Sequence, residues 1–301
     1  MTKDGAFKMN LELKIRPSPC CDYEFSLDQN MTSFVDRIKV MKKQEETTYK
    51  CRDCIGRRSL RKANLSAVSS SISMGGDIRK LTVRFRQKMC EWSFSVVDHY
   101  KVPREIVAIA YSFLDLFLDW CDYDRAVFKL AAMTALYVAT KQMSHQHISL
   151  TTLVHLSRNE FDIDHFGKME RTMLDSVEWR VNPPTVKSFI DQLMCLIAPK
   201  VTICQGVYNL AQFFAELSVI DYFFVNGDAY TVALSSILNA VEELCQWKVM
   251  KEVQDFVFRN IELCAAIDSG WRAFTFDVIR KRLWKLYIAS KQCSTIATPY
   301  Q

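Results

Sequence analysis

Residues 105–141, EIVAIAYSFLDLFLDWCDYDRAVFKLAAMTALYVATK, decide the fold class. They hold two apolar blocks, each too long for an ordinary strand and neither alternating with period two. Pro103 stands where a first-turn proline belongs and opens a helix through Leu118. Asp122 or Asp124 can cap the next helix, which runs through Ala139 with almost no polar face. A helix that is apolar all round must be surrounded by others. Its longest apolar run, Leu130 to Ala139, is about half of the roughly 20 residues a membrane span needs.

Working outward, the same periodicity recurs. On the N-terminal side, Leu81 to Tyr100 places Phe85, Met89, Trp92, Val96 and Val97 on one stripe. Beyond the block come a short helix near Ser149–Leu156 and a longer one over Asp162–Glu178, the latter with Met169, Met173, Leu174 and Val177 inward. Pro183-Pro184 ends this half. Helices follow at Val186–Ile197, Ile203–Leu217, Ala229–Leu244, near Val249–Cys264 and at Trp271–Ser290. Five helices on each side of the proline pair make the expected class all-α. Composition agrees: eight glycines and seven prolines in 301 residues are about 5%, against roughly 12% in an average chain. Glycine-rich phosphate loops, propellers and proline-rich linkers are disfavoured by that count.

The formal charge is +5, but its distribution is uneven. Residues 1–80 carry 16 Lys and Arg against 10 Asp and Glu, a net of +6, while 81–301 carry 23 against 24. Asn30 to Glu46 reads as an amphipathic helix through Met31, Phe34, Val35, Ile38 and Met41. After it the chain is basic at Lys50–Lys62, serine-rich at Ser66–Ser73 and closed by Gly75-Gly76, which is a linker by composition. The expected plan is a tail at 1–29, a helix at 30–50, a linker at 51–78, two helical folds at 79–182 and 183–292, and a tail at 293–301. The eleven cysteines are odd in number and several lie in apolar helical patterns, where free Cys acts as a small hydrophobe. With no apolar stretch in MTKDGAFKMN, a soluble chain in a reducing compartment is expected.

Five residues in the first fold fall at intervals of 29, 15, 11 and 29: Arg86, Asp115, Leu130, Lys141 and Glu170. Around them stand Phe85-Arg86-Gln87-Lys88-Met89, the stretch Tyr111–Leu118, Ala139-Thr140-Lys141, Met169-Glu170, and an exit from Trp179 to Thr185. In this register the segment 84–189 closely resembles the cyclin box. Ala211–Asp221 resembles the corresponding helix of a second cyclin fold, and the 30–46 helix is similar to the one cyclins place before their box. The resemblance implies two tandem five-helix folds, no catalytic activity and no cofactor or metal. It implies a heterodimer with a cyclin-dependent protein kinase in cell-cycle control, in nucleus and cytoplasm.

Arg86 and Asp115 lie amid apolar neighbours, and a guanidinium on such a stripe needs a fork-matched carboxylate. The resemblance implies the same buried ion pair between the first two box helices. Lys141 alone would be a cation at the negative end of a helix, worth about 0.3–1 kcal/mol, and Glu170 alone an ordinary solvated acid. Together, in cyclin register, they are implied to hydrogen-bond backbone near the mobile αC helix of the kinase.

The resemblance also implies a groove that docks R-x-L motifs of substrates or inhibitors, mapping to Phe85, Lys88, Met89, Trp92, Ser95 and Lys129. Lys88, Ser95 and Lys129 depart from the family there, and two lysines would repel a basic motif. Read without the family, Phe85, Met89 and Trp92 are simply a core stripe. Arg57-Arg58-Ser59-Leu60 matches the R-x-x-L core of a destruction box, with Asn64 following, and with Arg61 and Lys62 the cluster equally fits a nuclear import signal or a solvated linker.

Other chemistry finds little support. Cys51-x-x-Cys54 is half a zinc site, and adjacent Cys20-Cys21 are poorly placed to complete it. The histidines at 145, 147, 155 and 165 lack metal-ligand spacing. A cyclin-fold transcription factor that grips DNA would want two Cys pairs and a basic helical face, whereas residues 81–301 are nearly neutral, so direct nucleic-acid binding is not expected. A non-activating cyclin-like scaffold is the remaining alternative.

Overall fold

A computed structural model of the chain describes residues 27–49, 74–121, 123–143, 148–197, 204–244 and 273–295. Every regular element among them is helical: α1 (Leu27–Thr47), α2 (Met74–His99), α3 (Glu105–Trp120), α4 (Arg125–Met143), α5 (Leu150–Leu156), α6 (Ile163–Ser176), α7 (Val186–Ile197), α8 (Cys204–Ile220), a 3-10 helix (Tyr222–Asn226), α9 (Ala229–Leu244) and α10 (Ala273–Thr295). The all-α expectation holds. The helix expected near Val249–Cys264 lies outside the described residues.

The chain divides into two compact units. One holds Gln44–Thr185 together with Val219–Gly227, the other the remaining residues, including Val186–Ser218 and Asp228 onward. In the first unit α4 is the central helix, packed on α2, α3 and α6. Its buried residues run round the whole cylinder, including Phe128, Leu130, Met133, Leu136 and Val138. Ala131, Ala132, Ala135 and Ala139 are also buried on it, and their small side chains let neighbouring helices come close. Two hydroxyls of this core bond their own helices: Ser93 Oγ donates to the Met89 carbonyl at 2.9 Å and Thr134 Oγ1 to that of Leu130 at 2.8 Å. Cys90 is fully buried; burial pushes its thiol well above the ordinary range, the state of an inert core cysteine.

The second unit repeats the arrangement around α9, buried without interruption from Tyr230 to Val241 and packed on α7 and α10. Leu27–Lys43 of α1 belong to this unit. There Ile38 is buried and the Lys42 ammonium lies 4.8 Å from the Tyr230 ring centre.

Two expected boundaries shift. The linker does not reach residue 78, because α2 begins at Met74 and takes in Gly75-Gly76. A first turn lacks part of its hydrogen bonding in any case, so glycine is tolerated there more readily than in mid-helix, and the long apolar stripe downstream carries the helix. The fold expected at 183–292 also loses Val219–Gly227 to the first unit, where Arg86 holds the Val219 carbonyl.

Caps explain how a glycine-poor chain ends its helices. Ser149 and Asp162 cap α5 and α6, and the Asp124 carboxylate accepts the Val127 amide at 2.8 Å at the start of α4. At the other ends, Lys101, Arg158, Asn159, Glu178 and Trp179 take φ between 52° and 62°, the region where glycine is usual. Lys101 is exposed, at φ 55°. Lys101→Gly is therefore expected to stabilise the protein by about 0.5–1 kcal/mol, raising Tm by about 1–3 °C in a thermal melt.

The Asp162 cap orders the turn that leads to the middle of α6. Its carboxylate accepts the His165 amide at 2.8 Å, and that amide holds its pKa below the ordinary aspartate value. A depressed pKa means stabilisation that is present above the ordinary aspartate range and lost as pH falls through the folded value. Asp162→Ala should lower Tm at neutral pH, and the difference from wild type should shrink as pH drops below that range.

Candidate functional site

Arg86 on α2 and Asp115 on α3 meet inside the first unit. Nε donates to Asp115 Oδ1 at 2.9 Å and Nη2 to Oδ2 at 2.6 Å, a two-pronged pair with both side chains buried. Nη1 donates to the Val219 carbonyl at 3.0 Å. The Tyr111 and Tyr222 rings lie 4.9 and 5.6 Å from the guanidinium carbon. Burial works against the charge, but the facing carboxylate overrides it and holds the guanidinium protonated above its ordinary value. A group so enclosed cannot meet a partner, so this constellation is a brace. Val219 and Tyr222 escape sequence reasoning because they lie 133 and 136 positions from Arg86 and carry no local pattern. Thr185, at the exit of the box, is likewise tied in: its hydroxyl donates to Glu105 Oε1 at 2.8 Å at the start of α3.

Lys141 and Glu170 behave differently. The last turn of α4 carries Lys141, and the middle of α6 carries Glu170. Because α4 packs on α6, the two meet at the surface, with Nζ 2.8 Å from Oε1 and side-chain exposures of 46% and 20%. The Tyr137 ring, one turn back on α4, lies 5.1 Å from the ammonium. The hydrogen bond that Lys141 donates to Glu170 raises the Lys141 pKa, so the ammonium keeps its charge through neutral and mildly alkaline pH. One of its three protons is used by Glu170, and the carboxylate has further lone pairs. The pair therefore offers both donors and an acceptor outward, in fixed geometry, on the seam of two helices.

The expected docking residues lie mostly against the core. Met89 is buried, and Phe85 and Trp92 are half-buried against the same cluster. Phe85 meets Phe128 edge to face at 5.2 Å, and the Arg125 guanidinium lies over its ring at 4.8 Å. Lys129 pairs with Glu160, while Ser95 bonds its own helix at the Glu91 carbonyl. The structure thus places Phe85, Met89 and Trp92 as a stripe of the core whose edge reaches solvent. Arg57, Arg58, Leu60, Arg61, Lys62 and Asn64 lie outside the described residues, as do Cys51 and Cys54. His165 is in the α6 cap. No described helix is long and apolar enough to cross a membrane.

Comparison with known proteins matches this architecture. Residues 57–182 match the family described as cyclin, N-terminal domain. The G2/mitotic-specific cyclin S13-6 of Glycine max is 24% identical over 165 residues, 55% of this chain and 36% of that protein. Cyclin-A1-4 of Oryza sativa is 23% identical over 167 residues, 54% of this chain and 46% of its own length. The G1/S-specific cyclin-D1 of Homo sapiens is 23% identical over 159 residues, 53% and 54% of the two chains. The chain thus spans between about a third and just over half of these curated relatives. Among solved structures, a viral cyclin from herpesvirus saimiri shares the fold with a TM-score of 0.55 at 12% identity, over 78% of this chain and 96% of that one. With its five register residues in place, the stretch 57–182 matches the cyclin N-terminal domain in sequence, and the described fold is shared with a viral cyclin.

Proposed function

We propose that the protein is a regulatory subunit that binds a cyclin-dependent serine/threonine kinase and activates it in cell-cycle control. The observation that carries this reading is the Lys141–Glu170 pair: two oppositely charged groups held at 2.8 Å on the α4/α6 surface, in the register the family uses. A kinase needs its β3 Lys paired with the αC Glu before it can transfer phosphate. A rigid helical surface that binds only that arrangement shifts the kinase toward it, without chemistry of its own. Raising the active fraction from about 1% to near saturation corresponds to an activation on the order of 100-fold.

The test is to mix the purified chain with purified cyclin-dependent kinases, recover it by its tag, and assay histone phosphorylation by the recovered complex. Stable recovery of a kinase with strongly raised activity is expected. Recovery of a kinase at unchanged activity would favour the non-activating scaffold, and recovery of none would remove the proposal.

A further inference from the structure

The last helix of the second unit presents two strips. Phe276, Ile279, Leu283 and Tyr287, at intervals of 3, 4 and 4, are buried and face the core. About a quarter of a turn round the same helix, Lys281, Trp284, Lys285 and Ile288 line a groove of about 580 Å³ that Asn239 and Glu242 of α9 complete. No described residue fills it. Its apolar floor is Trp284, whose ring centre lies 6.3 Å from that of Phe214 and 5.7 Å from that of Tyr287, and Ile288, which is 42% exposed.

The groove is also charged. α10 carries five Lys or Arg against a single Asp. Arg280 is engaged within the fold, donating from Nε to Asn239 Oδ1 at 3.0 Å and from Nη2 to Glu242 Oε2 at 2.5 Å. Lys281 and Lys285 are exposed, and among the described residues neither makes an ion pair or hydrogen bond, although Asp277 lines the same groove. Like charges four apart on a helix repel each other, so an anion at this place is attracted by both. No long stretch of the chain outside the described residues carries a net negative charge to answer them. Residues 1–26 and 245–272 each hold four Lys or Arg against four Asp or Glu, and 50–73 hold six against one.

We propose that the α9/α10 groove docks an acidic, extended segment of a partner protein, with carboxylates at Lys281 and Lys285 and an apolar side chain over Trp284 and Ile288. The spacing fits such a segment. Residues four apart on a helix rise by about 6 Å, and alternate side chains of an extended chain stand about 6.5 Å apart on one side. The matching pattern is acidic-x-acidic-x-apolar. A peptide suits the groove better than a nucleic acid, because a uniform run of phosphates would also meet Asp277 and Glu242. The site is independent of the Lys141–Glu170 surface and of the kinase reading.

The test is fluorescence anisotropy of a labelled peptide with the core Glu-Ser-Glu-Ser-Leu, titrated with the full chain as wild type, Lys281→Glu/Lys285→Glu, Ile288→Ser and Lys141→Ala. Wild type should bind with Kd of roughly 10–100 μM, more weakly as salt rises. The double lysine variant should lose at least about tenfold and Ile288→Ser about three- to tenfold, while Lys141→Ala binds like wild type. All should melt near the wild-type temperature, since the altered side chains are exposed; should the double variant melt lower, Lys281→Gln/Lys285→Gln decides by the same loss. Double-variant binding within about twofold of wild type overturns the proposal, as does a loss in Lys141→Ala. Wild type that leaves the peptide free at about 1 mM means that another occupant, the chain's own residues 245–272 among them, closes the groove, and this too overturns it. Oligothymidylate that outcompetes the peptide and is itself lost in the double variant makes the groove a nucleic-acid site instead.

Discussion

Asp115→Ala is expected to destabilise the first unit by about 3–5 kcal/mol, a large share of the roughly 5–15 kcal/mol that holds a typical domain folded. The variant leaves the Arg86 guanidinium, 2% exposed, without its counter-charge. Nη1 keeps the Val219 carbonyl, and the Tyr111 and Tyr222 rings remain nearby. A neutral carbonyl and two ring faces do not replace a two-pronged carboxylate. Urea unfolding followed by circular dichroism should show the midpoint fall steeply with little change in slope. Arg86→Lys should not rescue function of the site, since a single ammonium cannot span both Asp115 oxygens and the Val219 carbonyl. Arg86→Met combined with Asp115→Leu should recover most of the loss, because removing both charges leaves only the part-buried Val219 carbonyl without its donor. A cost below about 1 kcal/mol for Asp115→Ala would mean that water reaches Arg86 and that the brace does not exist.

That brace also marks the limit of what can be read in the chain. The bounds of α7 and α9 coincide with those expected from periodicity, Val186–Ile197 and Ala229–Leu244, because their apolar patterns are strong and their flanks polar or proline-bearing. The Arg86–Asp115 pair was legible because a charge inside an apolar stripe has to be answered by an opposite one. Lys141 and Glu170 were legible only by their register within a family, since each alone is an ordinary helix-surface charge. Three features had no local signal. The third Arg86 partner is a backbone carbonyl, available at every residue, so nothing distinguishes Val219. The grouping of Leu27–Lys43 with the second unit depends on which apolar surface is left uncovered, which only tertiary packing determines. The left-handed residues that end α2, α5 and α6 are Lys, Arg, Asn, Glu and Trp, whereas the usual glycine cue for such ends is missing.

The charge swap Lys141→Glu with Glu170→Lys separates a brace from a binding site. In the protein itself the bridge is half in water, and exposed pairs of this kind contribute roughly 0–1 kcal/mol. Lys141→Ala, Glu170→Ala and the swap should therefore all keep the helical circular dichroism and melt within about 1–4 °C of wild type. Kinase binding should respond quite differently. A charge-assisted hydrogen bond lost at an interface is worth about 1.5–3 kcal/mol, so removing both groups should weaken the kinase by on the order of 100-fold or more. The sign of the Lys141 shift excludes titration as the cause. A raised lysine pKa leaves the charge in place at every pH below the ordinary lysine range and surrenders it only above the folded value, so this group should contribute no change in affinity across neutral pH. The swapped variant restores the intramolecular bridge, with donor and acceptor exchanged. If the pair only ties α4 to α6, the swap binds the kinase like wild type, and the observation carrying the functional reading is lost. If each group meets a backbone partner of fixed polarity on the kinase, the swap presents a donor to a donor and an acceptor to an acceptor, and its binding falls to or below that of the double alanine variant. The second outcome is the expected one, and equilibrium binding of the four proteins to one purified kinase distinguishes them.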